Sequence, residues 1–186
     1  MTRTLGYAAL AAYAATIPAS NWLIDNVGTV CVPQGPCLIP VAPGILTPSG
    51  VLLVGAALVL RDVVQRALGL RWSLGAVLVG TLLAALIAPP ALVTASAAAF
   101  LFSELADTAV YTPLQRRGLV LAVAASGAVG LLVDSTLFLW LAFGSLDHLT
   151  GQIIGKAEMV LLSLPLIDMA RRGHLAPVAS TSVGER

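Results

Sequence analysis

Residues 72–112 read WSLGAVLVGTLLAALIAPPALVTASAAAFLFSELADTAVYT. A membrane-spanning helix needs about 20 largely apolar residues, so this stretch is far too long for a single crossing. Its main interruption is the pair Pro89 and Pro90, and proline both lacks a backbone donor and clashes with the preceding turn of a helix. We therefore predict two spanning helices, 72–88 and 91–112, joined by a tight turn on the outer side of a membrane.

The rest of the chain has the same character. Hydrophobic residues make up 58% of the 186 residues and charged residues 10%, with a mean hydropathy of +0.94, whereas soluble domains are about one quarter charged. The basic residues are dispersed, which excludes the clustered footprint of a nucleic-acid-binding protein. The apolar runs predict an all-α bundle of about six transmembrane helices, near residues 5–24, 44–60, 72–88, 91–112, 119–143 and 151–169.

The chain is expected to form one domain. Residues 1–172 make up the predicted transmembrane domain, and the tail 173–186 is polar, without apolar periodicity, and expected to be disordered. The first apolar run follows Arg3 and has no small-residue cleavage site leading into a polar mature domain. We therefore interpret it as the first spanning helix and not as a signal peptide.

The distribution of basic residues predicts the orientation. Connections that stay in the cytoplasm carry the excess of Lys and Arg, and the first, third and fifth predicted connections contain neither residue. Six spans then place both termini in the cytoplasm of a bacterial cell, in a multi-pass inner (plasma) membrane protein. The basic residues that support this orientation are Arg3, Arg61, Arg66, Arg71, Arg116, Arg117, Arg171 and Arg172.

Three features near the predicted membrane surfaces carry little functional information. Cys31 and Cys37 lie in a Pro- and Gly-rich connection at a spacing typical of neither a zinc site nor a thioredoxin-type pair, so a disulfide and two free thiols both stay open. His148 fits a solvated loop residue. Asp62, between Arg61 and Arg66, fits a local ion-pair network at the inner surface. We predict no metal and no cofactor.

Ionisable residues inside the predicted spans are the strongest functional signal. A charge at the centre of a spanning helix costs roughly 2.5–3.5 kcal/mol, so such residues are functional candidates. Four of the five are acids, and the single base, Lys156, can neutralise only one of them. The five residues, which lie away from the ends of their spans, are Glu104, Asp107, Asp134, Lys156 and Glu158.

The spacing along the fourth predicted helix places several of its polar residues on one side. Glu104 and Asp107 are three residues apart, and Ser103 and Tyr111 each lie four residues from Asp107, so all share one side of the fourth helix. That side must face protein or water.

The polar residues of the fifth and sixth predicted helices are expected to lie near those of the fourth helix, in the centre of the bundle. Asp134 and Lys156 have similar predicted depths, which predicts a contact between them, and Gln152 lies one turn from Lys156. Gly151 and Gly155 form a small-xxx-small pair that permits close approach of another helix. Purely structural hydrogen bonds within the bundle are the alternative.

Three stretches in the second half of the chain resemble a known family, that of queuosine-precursor transporters, also called VUT or vitamin-uptake transporters. They occur in the same order and at the same spacing as in that family. Weaker similarities occur at Ser20-Asn21, 47–50 and 61–69. Arg66 stands four residues after Asp62, where many relatives have an acidic residue, so the resemblance assigns no role to Asp62. The three stretches are Ser103-Glu104-Leu105-Ala106-Asp107-Thr108, Val133-Asp134-Ser135 with Phe138, and Gly151-Gln152 with Lys156.

The resemblance implies import of 7-cyano-7-deazaguanine or a related 7-deazapurine for queuosine synthesis. The chemistry is compatible, because one carboxylate, from Glu104 or Asp107, can accept the ring N–H and the exocyclic amine of a guanine-like edge together. Amides can read the carbonyl and ring nitrogens, and Phe138, Trp22 or Trp140 can stack on the flat ring. The expected substrate-binding residues are Asn21, Trp22, Ser103, Glu104, Asp107, Asp134, Phe138, Gln152 and Lys156.

Other functions stay open at this point. The size and the six spans also resemble the substrate-binding subunit of an energy-coupling-factor importer for a vitamin, and Ala8 with Ala12 offers a small-residue stripe for a coupling module. The less favoured alternative is a membrane-embedded enzyme, such as a lipid- or peptide-processing activity that uses Glu104 and Asp107 as paired carboxylates. No histidine accompanies them, because His148 and His174 lie outside the predicted spans, so we expect no catalytic site. The expected partners are the 7-deazapurine, the lipid bilayer, and a homo-oligomer or energy-coupling module, with no nucleic acid.

Overall fold

The structure, a computed structural model, describes residues 3–32, 36–88 and 92–173, with side chains described as far as Pro165. Successive helices are joined by short connections, apart from the one between the first two. The six helices within the described residues are α1 (Arg3–Asn26), α2 (Val51–Leu68), α3 (Leu70–Ile87), α4 (Val93–Leu114), α5 (Leu119–Phe143) and α6 (Leu149–Gly173).

Three helices are long and apolar enough to cross a membrane by length and composition: α3, α4 and α5. The chain is therefore a helical membrane protein. Helices α1, α2 and α6 are less apolar on average, and α2 and α6 contain charged residues in their interiors. Six spans, cytoplasmic termini and the single domain 1–172 stay predictions, and the tail 174–186 lies outside the described residues.

The predicted break within the stretch 72–112 is confirmed. Helix α3 ends at Ile87 and α4 begins at Val93. Pro89 and Pro90 themselves lie outside the described residues. The two helices pack against each other, as expected for neighbours joined by a short connection.

A small sheet that the sequence analysis did not predict is added to the helical bundle. Its strands β1 (Val30–Cys31), β2 (Cys37–Ala42) and β3 (Ile45–Pro48) pair antiparallel in the order β1-β2-β3. Ala42 pairs with Ile45 across a two-residue turn in which Gly44 has a φ of 75°, the left-handed conformation that tight hairpins require and glycine supplies. The second helix therefore begins at Val51 and not near residue 44.

The sheet covers one end of the bundle, which we call the sheet end, by packing against α1 and α6. The opposite end carries the exposed side chains of Arg66, Arg71, Arg116 and Arg117 and is called the basic end. A Cβ added at Gly151 would lie 2.8 Å from the Leu46 carbonyl oxygen of β3. Gly151 therefore allows close approach of the sheet, where the sequence predicted another helix.

Cys31 and Cys37 form a disulfide that joins β1 to β2. Replacing both with serine is expected to lower the free energy of unfolding by about 2 kcal/mol, because the bond closes a short loop and limits the unfolded chain. The thermal melting of detergent-purified protein measures this. An unchanged melting temperature would contradict the prediction.

Helix α2 forms the centre of the bundle. Within the described part of the chain it packs against each of the other five helices, and ten of its residues are buried. Three of these ten are polar or charged: Arg61, Asp62 and Gln65. A helix that carries such side chains can lie in the middle of a membrane protein only if its neighbours supply their partners.

Candidate functional site

The side chains of Arg61 and Asp62 are buried in the interior of the bundle, with 0% and 1% of their surface exposed. This corrects the prediction of an ion-pair network at the inner surface. Because residues 45–48 form a strand, α2 begins at Val51 and Arg61 lies in the middle of the helix. Arg61 therefore does not belong to a cytoplasmic connection, although Arg66 and Arg71 do lie at the basic end.

Arg61 binds three carboxyl groups. Its Nε donates to Glu104 Oε2 at 3.1 Å, and its Nη2 donates to Asp107 Oδ1 and lies 2.9 Å from Asp62 Oδ1. Its Nη1 donates to Gln65 Oε1 at 3.1 Å. We call Arg61, Asp62, Gln65, Glu104 and Asp107 the arginine cluster. It ties α2 to α4 through charge-assisted hydrogen bonds, the strongest class in proteins.

Two further side chains complete the surroundings of the arginine cluster. The Ser126 hydroxyl on α5 donates to Asp62 Oδ2 at 3.1 Å. The guanidinium carbon of Arg61 lies 5.7 Å from the centre of the Tyr111 ring, within the range of a cation–π contact. The sequence prediction that Glu104, Asp107 and Tyr111 share one inward side of the fourth helix is thereby confirmed, because all three are buried.

A second buried ion pair joins α5 to α6. Lys156 Nζ lies 2.5 Å from Asp134 Oδ2 and donates to Ser135 Oγ at 2.8 Å. The predicted contact between Lys156 and Asp134 is confirmed. Glu158, by contrast, has an exposed side chain and does not join the buried groups.

A cavity lies between α1, α2, α4, α5 and α6 and reaches Glu104 and Lys156. Its volume of about 110 Å³ is several times what one buried water molecule needs. The lining begins with Ile24, Pro48 and Leu92 near the sheet end and reaches the interior at Glu104. The cavity therefore connects the sheet end with the arginine cluster.

Seven of the nine predicted substrate-binding residues line this cavity. Phe138 supplies an aromatic ring, and the Asn21 amide donates to the Ile17 carbonyl at 2.9 Å while still facing the cavity lining. The other side chains of the seven are polar or charged. The seven are Asn21, Ser103, Glu104, Asp134, Phe138, Gln152 and Lys156.

Two predicted binding residues do not line the cavity. Asp107 is fully buried behind it, where it binds Arg61. Trp22 has 60% of its side chain exposed, as does Trp140, the other proposed stacking residue. Both tryptophans point away from the interior because they lie on the outward faces of α1 and α5. Phe138 is therefore the one of the three proposed stacking rings that the structure places at the cavity.

Carboxyl groups outnumber cations among the buried residues that the structure describes. The cations are Arg61 and Lys156, and the carboxyl groups belong to Asp62, Glu104, Asp107 and Asp134. If every group were ionised, two negative charges would lack a cation. An unpaired charge is costly in a buried site, so the cluster is suited to binding protons or a ligand that donates hydrogen bonds.

Sequence reasoning missed Arg61 as a member of the site. The available signal was that Gln65, four residues after Arg61, continues the same side of α2. Gln65 Nε2 donates to Thr112 Oγ1 at 3.0 Å, and Gln115 Nε2 donates to the Thr112 carbonyl at 3.2 Å. These side chains form a polar connection from Arg61 toward the basic end.

Residues 85–170 match the family model described as "Putative vitamin uptake transporter". The match confirms the resemblance to the VUT family over the part of the chain that contains Glu104, Asp134, Gln152 and Lys156. Arg61 lies outside the matched residues. No curated protein and no solved structure matches the chain. The family match and the three apolar helices together indicate a membrane transporter of the vitamin-uptake type.

Proposed function

We propose that the protein imports a queuosine precursor, 7-cyano-7-deazaguanine or a related 7-deazapurine, across the bacterial inner membrane. The observation that carries the proposal is the cavity between α1, α2, α4, α5 and α6, because a carboxyl, an ammonium, amides and an aromatic ring line one space. These are the groups that a flat base with donors on one edge and a carbonyl beside them requires. The family match supports transport as the activity.

Glu104 is the group best suited to the donor edge of the base. Its Oε2 accepts from Arg61, and its Oε1 has no hydrogen-bond partner. The buried hydroxyl of Tyr13 lies near the carboxyl and also lacks a hydrogen-bond partner. Buried polar atoms are nearly always hydrogen-bonded, so a base that brings two N–H groups would satisfy the Glu104 oxygen, for which the Tyr13 hydroxyl is the one nearby protein donor among the described residues.

The remaining cavity groups suit the other atoms of the base. Lys156 donates two hydrogen bonds to Asp134 and Ser135, and an ammonium has a third donor for a ring carbonyl. The amides of Gln152 and Asn21 can bind ring nitrogens, and Phe138 can stack on the ring face. Asp134 and Ser103 then act as lining and positioning groups.

A second candidate is a vitamin bound by the same cavity, with the chain acting as the substrate-binding subunit of an energy-coupling-factor importer. The description of the matched family, vitamin uptake, favours it. The side chains of Ala8 and Ala12 are exposed on the surface of α1, where a coupling module could dock. Because the matched family consists of transporters, we propose no enzymatic activity.

Binding of 7-cyano-7-deazaguanine is expected to raise the melting temperature of the detergent-purified protein. A ligand at about 100 times its Kd stabilises the native state by about 2.7 kcal/mol. The Glu104→Gln variant is expected to lose most of this shift, because its amide nitrogen, a donor, would face either Arg61 or the N–H groups of the base, which are also donors. Glu158→Gln makes the same chemical change on an exposed side chain and should keep the full shift.

Four ligands separate the candidates in this assay. A shift with 7-cyano-7-deazaguanine or 7-aminomethyl-7-deazaguanine that exceeds the shift with guanine supports the deazapurine substrate. A shift with an unrelated vitamin and none with any deazapurine would reject it and favour the vitamin candidate. An equal shift in Glu104→Gln and wild-type protein would remove Glu104 from the proposed site.

A further inference from the structure

The carboxyl groups of Asp62 and Asp107 share a single guanidinium nitrogen. Asp62 Oδ1 lies 2.9 Å from Arg61 Nη2, and Asp107 Oδ1 accepts a hydrogen bond from the same Nη2. Glu104 occupies Nε of the same side chain. One positive charge therefore faces three carboxyl groups that are all at least 99% buried. Carboxylates that bind the same nitrogen atom repel each other, which opposes the simultaneous ionisation of Asp62 and Asp107.

A separate observation indicates where a ligand can bind. Asp107 Oδ2 is fully buried and accepts no hydrogen bond, whereas Asp62 Oδ2 accepts one from Ser126 at 3.1 Å. The backbone of α5 presses against this oxygen, since a Cβ added at Gly130 would lie 3.0 Å from it. A buried carboxyl oxygen that lacks a donor and has no room for a larger partner is suited to carrying a proton.

No second cation is available to the Asp62–Asp107 pair from the described parts of the neighbouring helices. The remaining titratable side chains around it are two phenols, the two carboxyl groups of Glu104 and Asp134, and a lysine that already binds Asp134. The only ionisable residue of α3, Arg71, has an exposed side chain. Arg66, one turn after Asp62, acts on Tyr111 from an exposed position. The buried groups that face the cluster are Tyr13 from α1, Arg61 from α2, Glu104 and Tyr111 from α4, Asp134 from α5, and Lys156 from α6.

A proton fits this pair better than a metal cation does. Within the described residues, no group of three His, Cys, Asp or Glu side chains is arranged to hold a metal ion. The guanidinium of Arg61 already lies between the carboxyl groups, and its charge would repel a bound cation. Sodium also needs several oxygen ligands. Two oxygens of the pair accept no hydrogen bond, Asp62 Oδ1 and Asp107 Oδ2, and the first of them already lies 2.9 Å from Arg61 Nη2.

We infer that the Asp62–Asp107 pair binds a proton that moves together with the substrate, which makes the protein a proton-coupled importer. This inference rests on the proposed function. The proton binds a carboxylate oxygen of the pair from water on one side of the membrane and leaves to water on the other side. Proton binding and substrate binding are coupled because Glu104 and the Asp62–Asp107 pair bind the same Arg61 guanidinium. A negative charge on Glu104 and a negative charge on the pair compete for that single cation.

The position of the pair between two polar routes supports the inference. Toward the sheet end, Glu104 connects the arginine cluster with the cavity. Toward the basic end, Gln65 binds both Arg61 and Thr112, and Gln115 continues from Thr112. The proton site thus lies directly beyond the proposed substrate site.

The first experiment does not depend on any substrate. Infrared spectra of the purified full-length protein, recorded from acidic to alkaline pH, report the carbonyl stretch of protonated carboxylic acids. We expect a band that is lost on raising the pH and is removed by Asp62→Asn or Asp107→Asn. Asp147→Asn, at an exposed turn residue, should leave it unchanged. A spectrum without such a band, or a band that survives both substitutions, would overturn the inference.

The second experiment measures coupling in proteoliposomes with radiolabelled 7-cyano-7-deazaguanine. Wild-type protein is expected to accumulate the base when the outer solution is more acidic, and to respond to neither a sodium gradient nor its removal. Asparagine resembles a protonated aspartic acid in shape, so Asp62→Asn and Asp107→Asn should still exchange internal for external base but lose proton-driven accumulation. Retained exchange also establishes that a variant is folded.

The results separate this inference from the proposed function. Uptake that a sodium gradient drives, or that ignores the pH gradient, would overturn proton coupling while leaving the deazapurine substrate intact. If no deazapurine is carried at all, the proposed function fails, and the infrared titration alone decides whether the pair holds a proton.

Discussion

Replacing Arg61 with methionine is expected to destabilise the protein more than any other single substitution of a described residue. The variant leaves Asp62, Glu104 and Asp107 buried together without their cation. Removing one partner of a buried ion pair costs about 3–5 kcal/mol, and here three carboxyl groups lose the same partner. The melting temperature in detergent and the yield of monodisperse protein measure the loss.

Two variants test the reason for this loss. Arg66→Met removes an arginine five residues further along α2, whose side chain is exposed and makes one long bond of 3.4 Å to the Gln115 carbonyl. It should melt close to the wild type, since surface ion contacts contribute little. Adding Asp107→Asn and Glu104→Gln to Arg61→Met should recover part of the stability. If Arg61→Met melted like the wild type, the arginine cluster would not be what holds α2 to α4.

Replacing Lys156 with methionine is expected to cause both instability and loss of ligand binding. Asp134 would keep a buried carboxylate without its ammonium partner, at a cost of about 3–5 kcal/mol. Lys156 is the only lysine in the chain and lines the cavity, so the base would also lose its proposed cationic donor. Melting temperature with and without 7-cyano-7-deazaguanine measures both effects.

The double variant Lys156→Met with Asp134→Asn separates the two roles. It removes both charges, so most of the stability should return, because a neutral pair avoids the cost of an isolated charge. The thermal shift with the base should stay absent. Recovery of stability together with ligand binding would mean that Lys156 serves only to hold α5 against α6. Arg117→Met, at an exposed residue between α4 and α5, is the matched control and should change neither property.

Much of the membrane architecture followed from local sequence. The apolar stretch 72–112 is too long for one crossing, and the break at Pro89 and Pro90 placed the division between α3 and α4 correctly. Helical periodicity also placed Glu104 and Asp107 on one side of α4 and predicted the contact of Lys156 with Asp134. These features depend on spacing along single helices and on depth, which a sequence contains directly.

The start of α2 was decided by tertiary structure. Residues 44–50 are apolar enough to continue a helix, but Ile45–Pro48 pairs instead with the strand Cys37–Ala42, and the hairpin packs on α1 and α6. Hydrophobicity alone does not distinguish a short strand from the first turns of a helix. This shift moved Arg61 from a predicted helix end to the middle of the bundle.

The sequence by itself determined that the protein is a helical membrane protein with a row of buried acids, because apolar length and helical period are local properties. Only the tertiary structure decided that Arg61 is the cation that binds Glu104 and Asp107. Arg61 lies 43 and 46 residues before Glu104 and Asp107, and their meeting depends on how α2 is placed among five neighbouring helices. The charge pattern along the chain shows which groups are ionisable, but the three-dimensional packing of the helices decides which of them meet.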